Sequence, residues 1–293
     1  MRLDSGRAMR FQEFFNAFSG AFQDLRAPPG DGGDRPRPAR GYMNTPFHDA
    51  PTRHEGFGGG AAGMLRKALD RWFYFGMAWL VLLVVAYGFG RGLGGRLLHP
   101  AVPLPWILHV HALVFSGWVL LFLVQSGLVR RHQVRLHRRL GMLGAGLGAA
   151  LPLLGVATAL VMRQWHASRG PVNDAFLAVS FNDMLTFAVT FGLALHWRRQ
   201  PEFHRRLMLI ASCALTVAAF ARFPRTLVPA NAWYAGVDLL IALGLLRDLV
   251  VEGRVHRAYR IGLPGVMAGQ ALALYLALAA PEGWLALLRA CLG

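Results

Sequence analysis

The stretch VPLPWILHVHALVFSGWVLLFLVQSGLVRRHQVRLHRRLG, from Val102 to Gly141, decides the fold class. Between Leu104 and Val129 it holds no Asp, Glu, Lys or Arg. That run is longer than the ~20 residues a helix needs to cross a hydrocarbon core. It then turns basic, with Arg130, Arg131, Arg135, Arg138 and Arg139 around His132 and His137. An apolar run closed by arginines is the pattern of a membrane helix ending at a cytoplasmic face.

Working outward, the same kind of run recurs. Seven apolar segments are predicted, at 72–90, 104–129, 141–162, 175–197, 206–222, 231–247 and 261–280. The fifth and sixth are the shortest. The tail PEGWLALLRACLG, Pro281 to Gly293, is too short to span and suits the membrane interface. The predicted fold class is therefore all-α, a polytopic membrane helix bundle of seven spans. Composition agrees: 55% of residues are hydrophobic and 16% charged, where a soluble domain carries about 25% charge.

The chain has a formal net charge of +16, and Lys67 is its only lysine among 31 basic residues. A basic chain can bind nucleic acid. Here the arginines sit at the ends of apolar runs, so the expected partner is the lipid bilayer, with no nucleic acid. Cys213 and Cys291 form no C-x-x-C pair and no disulfide framework.

Residues 1–66 read as a separate basic, Gly/Pro-rich and mostly disordered segment ahead of the transmembrane domain at 67–293. No apolar signal-peptide core occurs in the first 60 residues, and Met64 offers an alternative start. Phe11, Phe14, Phe15, Phe18, Phe22 and Leu25 fall on one helical stripe, which predicts a short amphipathic helix. It would lie on the membrane surface or pack on a protein.

Loop charge sets the orientation. The loops at 130–140, 198–206 and 247–260 carry five, four and four arginines, whereas the intervening loops hold pairs. The predicted arrangement is N-terminus in the cytoplasm and C-terminus outside, in a bacterial inner membrane.

The His-Arg step at His137 returns as EFHRRLML, Glu202 to Leu209, and as RVHRAYRIG, Arg254 to Gly262. His137, His204 and His256 thus open the third, fifth and seventh segments, as in a repeat of helix hairpins. A histidine flanked by arginines at a membrane boundary is commonly an interfacial residue. It can also be a ligand. With His132 and His196 these form a cytoplasmic layer. An outer layer holds His109, His111, Asp183 and Asp238. His109 and His111 point to nearly opposite faces, and His111 continues a stripe through Phe115, Trp118 and Gln125 toward the bundle. His111, Asp183 and Asp238 are the expected buried polar, proton-handling residues, because intramembrane charges persist where they have partners or functions.

Three stretches also carry a resemblance: HVHALVFSGWVLLFLVQSGLVRRHQVRLHRRLGMLG, FNDMLTFAVTFGLALHWRRQPEFHRRLMLIAS and DLLIALGLLRDLVVEGRVHRAYRIG, together roughly residues 104–262. They resemble uncharacterised bacterial multi-pass membrane proteins with L-H-R-x-L-G and H-R-R-x-M steps. More distantly, His137 followed by Gly141 is similar to membrane b-type cytochromes of the ascorbate and ferric reductase kind. That similarity implies haem. A six-coordinate b haem needs two imidazoles at one depth on facing helices. The cytoplasmic layer supplies them as His137 with His204 or His196. The outer layer has histidines on one helix only, so one haem is expected, not two. The alternatives are a proton-coupled transporter, a cofactor-free membrane partner or assembly protein, and a metal site of His111, Asp183 and Asp238.

Overall fold

A computed structural model describes residues 59–92 and 102–292, all within one compact unit. The stripe of phenylalanines near the N-terminus lies outside the described residues. The described chain is all-α. Its long helices are α1 (Gly59–Gly90), α2 (Trp106–Arg130), α3 (Val134–Ala167), α4 (Leu177–His196), α5 (Pro201–Ala214), α7 (Trp233–Glu252) and α8 (Arg257–Ala279). A one-turn helix α6 (Val217–Phe220) continues α5 after a break, and α9 (Glu282–Leu292) ends the chain.

Six segments are long and apolar enough to cross a membrane: α1, α2, α3, α4 with the turn before it, α5 with α6, and α8. The chain is a multi-pass membrane protein. Helix α7 has 20 residues, but every 18-residue stretch of it contains Asp238, Arg247 and Asp248. Those three charges set it apart from the other six.

Local chemistry fixes the boundaries. Pro201 opens α5 at a position where its missing N–H costs nothing. Gly253, at φ 69, closes α7 in the left-handed conformation that glycine adopts without strain. His256 caps α8: its Nδ1 accepts the Ala258 N–H at 3.1 Å. Helix α3 presents Gly144, Gly148, Leu151, Gly155 and Thr158 on one buried face. Side chains of α2 and α4 fill the space above its glycines: Leu121 at Gly144, Phe191 at Gly148 and Met184 at Gly155.

The helices close a ring in the order α1–α2–α3–α4–α8–α7 and back to α1, with α5 and α6 inside it. In the α5–α6 segment 67% of the apolar stretch is buried, against 17–39% in the other five spans. The aromatic core beside it joins Trp118, Leu151, Phe187 and Phe191 to Ala211 of α5. Trp118 meets the rings of Phe187 and Phe191 edge-on at 5.2 and 5.3 Å. A central helix is screened from lipid by its neighbours, and so its sequence need not be uniformly apolar.

Three boundaries correct the loop reading. Helix α3 begins at Val134, so Arg135, Arg138 and Arg139 are helical and the connection is only Arg131–Gln133. Likewise Arg205 and Arg206 belong to α5, and Arg247 to α7. Arg206 and Arg247, counted above as loop charges that set orientation, have side chains 0% and 1% exposed and are held in ion pairs.

Candidate functional site

His137, His204, His196 and His256 separate into different roles. His137 lies in the first turn of α3 and His204 in the first turn of α5, both half-buried. Their ring centroids are 6.4 Å apart and the planes cross at 81°. The His204 Nδ1 lies 2.8 Å from the Ala194 carbonyl oxygen. A carbonyl only accepts, so Nδ1 is the protonated nitrogen and Nε2 keeps a lone pair. The His137 ring faces the Gln125 main-chain carbonyl, and its Nδ1 is buried with no hydrogen-bond partner among the described residues. The His204 imidazole is thus steadied by a main-chain carbonyl, the arrangement that orients ligand histidines in metal centres.

The spacing can be tested against coordination. An imidazole nitrogen lies about 1.1 Å from its ring centre and binds a metal at about 2 Å, so two imidazoles in line across one metal hold their centroids about 6 Å apart. The pair fits that distance. The preceding turn, His132 to Leu136, is exposed and borders an open surface groove that includes neither imidazole. Exposed Arg135, Arg138 and Arg139 follow on the same helix end. They are the residue type that pairs with carboxylates such as haem propionates.

His196 stands apart. It is exposed and packs its ring edge-on against Trp197 at 5.3 Å. The third recurrence, His256, is a helix cap with its ring against Phe203. Burial, with the Arg206 charge beside it, pushes the His256 imidazole below its ordinary pKa. The linkage sign follows. The folded chain holds His256 neutral, while the unfolded chain takes up a proton below its ordinary pKa. The contribution of His256 to stability is therefore present above that range and declines as pH falls through it. Replacing His256 with leucine removes the cap acceptor and is expected to lower stability by about 1 kcal/mol, with asparagine restoring most of it. Thermal unfolding of the purified variants reads this directly.

Behind His204 lies a cluster that the sequence reading missed. Arg206 is fully buried and makes a two-pronged contact with Asp248, Nε to Oδ2 at 2.8 Å and Nη2 to Oδ1 at 2.7 Å. Its remaining donors reach the Glu202 carbonyl at 3.0 Å and the carboxylates of Glu202 and Glu252. Arg247 donates to Asp248 at 2.9 Å, to Glu252, and to Asp70 of α1. Asp248 also accepts the His256 main-chain N–H at 3.2 Å. Arg205 spans Glu202 and Glu252 and lies over the Tyr74 ring. Helices α1, α5, α7 and α8 all meet in this network. The signal for it was present in LGLLRDLVV, Leu243 to Val251, where the apolar run continues past Arg247 and Asp248, so both had to lie within a helix.

The outer layer is a smaller polar group. Asp183 is buried and accepts from the Tyr234 hydroxyl at 2.9 Å. The Asn182 amide reaches Tyr234 at 3.2 Å and Asp183 at 3.4 Å. Asp238 faces the Gln270 side chain. His111 is half-buried and stacks on Phe115 at 4.0 Å, whereas His109 is exposed. Among the described residues no three His, Cys, Asp or Glu side chains come together as a metal ion would require. The set His111, Asp183 and Asp238 is therefore not assembled as one site: His111 lies against Phe115 and Asp183 is engaged by Tyr234 of α7.

Comparison with family models, with curated proteins and with solved structures finds no match for this chain.

Proposed function

We propose that this chain is an inner-membrane protein of seven spans that holds one b-type haem between His137 and His204. The observation that carries the reading is the 6.4 Å separation of two half-buried imidazoles on different helices, one of them fixed by a carbonyl so that Nε2 stays free. A haem bound there supplies a one-electron relay between its ferric and ferrous states. The chain's own part is to hold both imidazoles at one depth through α3 and α5. The exposed arginines beside them offer charge for the propionates.

The orientation, N-terminus inside, is supported by the exposed arginines among the described residues. Beyond α1, the proposed cytoplasmic face keeps Arg131, Arg135, Arg138, Arg139, Arg198, Arg199, Arg254, Arg257 and Arg260, and the opposite face Arg91, Arg169, Arg222, Arg225 and Arg289. Nine against five favours the first set as the inner one.

The test is the visible spectrum of protein expressed with ample haem, oxidised and reduced. A Soret band is expected, at about one haem per chain by the pyridine haemochrome. His137→Ala and His204→Ala should each lose it or convert it to a five-coordinate form, and His196→Ala should leave it unchanged. A wild-type chain without the band sinks the reading.

One observation favours a second reading, proton-coupled transport. The central helix breaks at Leu215 and Thr216, where the Thr216 hydroxyl and main-chain N–H both turn to the Cys213 carbonyl. Thr216 and Asp238 each lie ten residues, ~15 Å, above the Arg206–Asp248 pair. Asp183 lies eleven residues, ~16 Å, above Ala194 at the His204 contact. The break, the buried Asp183 and the half-buried Asp238 therefore share one level, as in transporters whose broken helices bind substrate near the membrane midplane.

A further inference from the structure

We infer that the network around Arg206 and Asp248 is a gate at the cytoplasmic end of the bundle, closed in this structure. The inference needs neither haem nor a known substrate. It starts from a cost. Burying a guanidinium and a carboxylate is expensive, and apolar residues of equal volume commonly hold helices together as well or better. Arg206 and Asp248 have side chains 0% exposed, at the point where four helices converge. A contact of that kind gains its advantage on opening. Apolar surfaces parted into water lose about 25 cal/mol for each Å² exposed, whereas separated charges recover their hydration. A seal that must part repeatedly is better made of ions.

The arrangement also lets the contact part in steps. Arg205, Arg206 and Arg247 share Asp70, Glu202, Asp248 and Glu252, and each arginine touches at least two carboxylates. Glu202 and Glu252 lie at the wet edge, with side chains 51% and 27% exposed. An arginine leaving Asp248 therefore finds a second carboxylate before it reaches water.

The element that would move is defined by its ends. The rod Pro201–Ala214 is bounded by the turn at Trp197–Gln200 below and by the break at Leu215 and Thr216 above. On its inner side, above the pair, lie Cys213 and Tyr259, both 0% exposed, with the Tyr259 ring laid against Gly244 of α7. The Tyr259 and Tyr74 hydroxyls are buried and have no hydrogen-bond partner among the described residues. Buried hydroxyls of this kind are sites where water is gained readily. Tilting the rod would admit water from the cytoplasm to this level, and protons with it.

Cys213 is the reporter, seven residues or ~10 Å above Arg206. The chain has two cysteines, so Cys291→Ser leaves Cys213 alone. Full-length protein is reconstituted in vesicles, and a small charged thiol reagent is added from the cytoplasmic side. Asp248→Asn should speed labelling of Cys213 about tenfold or more, as local opening sets the rate. The double change Arg206→Met with Asp248→Leu should label as slowly as the parent, because an apolar plug stays shut. Unfolding is separated by a second thiol. Ala178→Cys, in a chain lacking both native cysteines, is buried near the outer end of α4 and, with the reagent on both sides of the vesicle, should stay protected in Asp248→Asn. The gate is rejected if Asp248→Asn leaves Cys213 as protected as before. It is equally rejected if Ala178→Cys becomes labelled along with it, since Asp248 would then hold the whole fold, not one end.

Discussion

Asp248→Ala is expected to destabilise the protein by about 3–5 kcal/mol, read as the loss of unfolding free energy in a detergent–denaturant titration. The change leaves Arg206 charged, fully buried and without its two-pronged partner; a buried charge stripped of its counter-ion costs that much, and the Glu202 and Glu252 carboxylates that Arg206 keeps place the loss at the lower end of the range. No discount for solvent screening applies, because both side chains are 0% exposed. The second half of the expectation is the contrast. Replacing both members, Arg206→Met with Asp248→Leu, should recover most of the loss, since no charge is then left unpaired. Equal losses in the single and double variants would show that packing, not charge, dominates at this junction.

Gly88→Ala is the second large effect, at about 1–3 kcal/mol. A Cβ on Gly88 would come within 2.5 Å of the Ala219 carbonyl oxygen and 2.8 Å of its Cα. Both belong to the main chain of α6, inside the ring, which cannot rotate away. Gly155→Ala makes a useful comparison. The obstacle there is the flexible Met184 thioether, which adapts readily, so the cost should be clearly smaller. Denaturation midpoints of the two variants, measured side by side, check the order. The reverse order would mean that α1 and α6 are free to separate.

The difference between legible and hidden features follows from the range of the interactions. His204 and Asp183 were visible as candidates because a polar residue in or beside an apolar run stands out locally. Arg206 and Arg247 were visible too, but were read as loop charges because helix ends were placed where the apolar run weakened. Helices α3 and α5 continue past that point, because arginine stems pack along a helix end as well as apolar side chains do. The network partners are 42 and 177 residues apart in sequence for Arg206–Asp248 and Arg247–Asp70. No local pattern encodes such pairs.

The three His-Arg steps illustrate the same division. In sequence His137, His204 and His256 are one motif repeated. In the fold His256 spends its Nδ1 on capping α8, while His137 and His204 face each other across two helices. The cap depends on a main-chain N–H two residues away, and the facing pair on how the fold brings the first turns of α3 and α5 together.

The sequence by itself determined that this is an all-helical multi-pass membrane protein, because length and apolarity of a segment decide whether it can lie in lipid and are properties of the segment alone. The tertiary structure alone decided that α5 is the central helix, that Arg206 and Arg247 are sealed from water, and which histidines meet. The physical reason is that in lipid a helix gains little hydrophobic free energy by choosing one neighbour over another. The order of the ring is set by close-packed glycines and buried ion pairs, and these act between residues the chain keeps far apart.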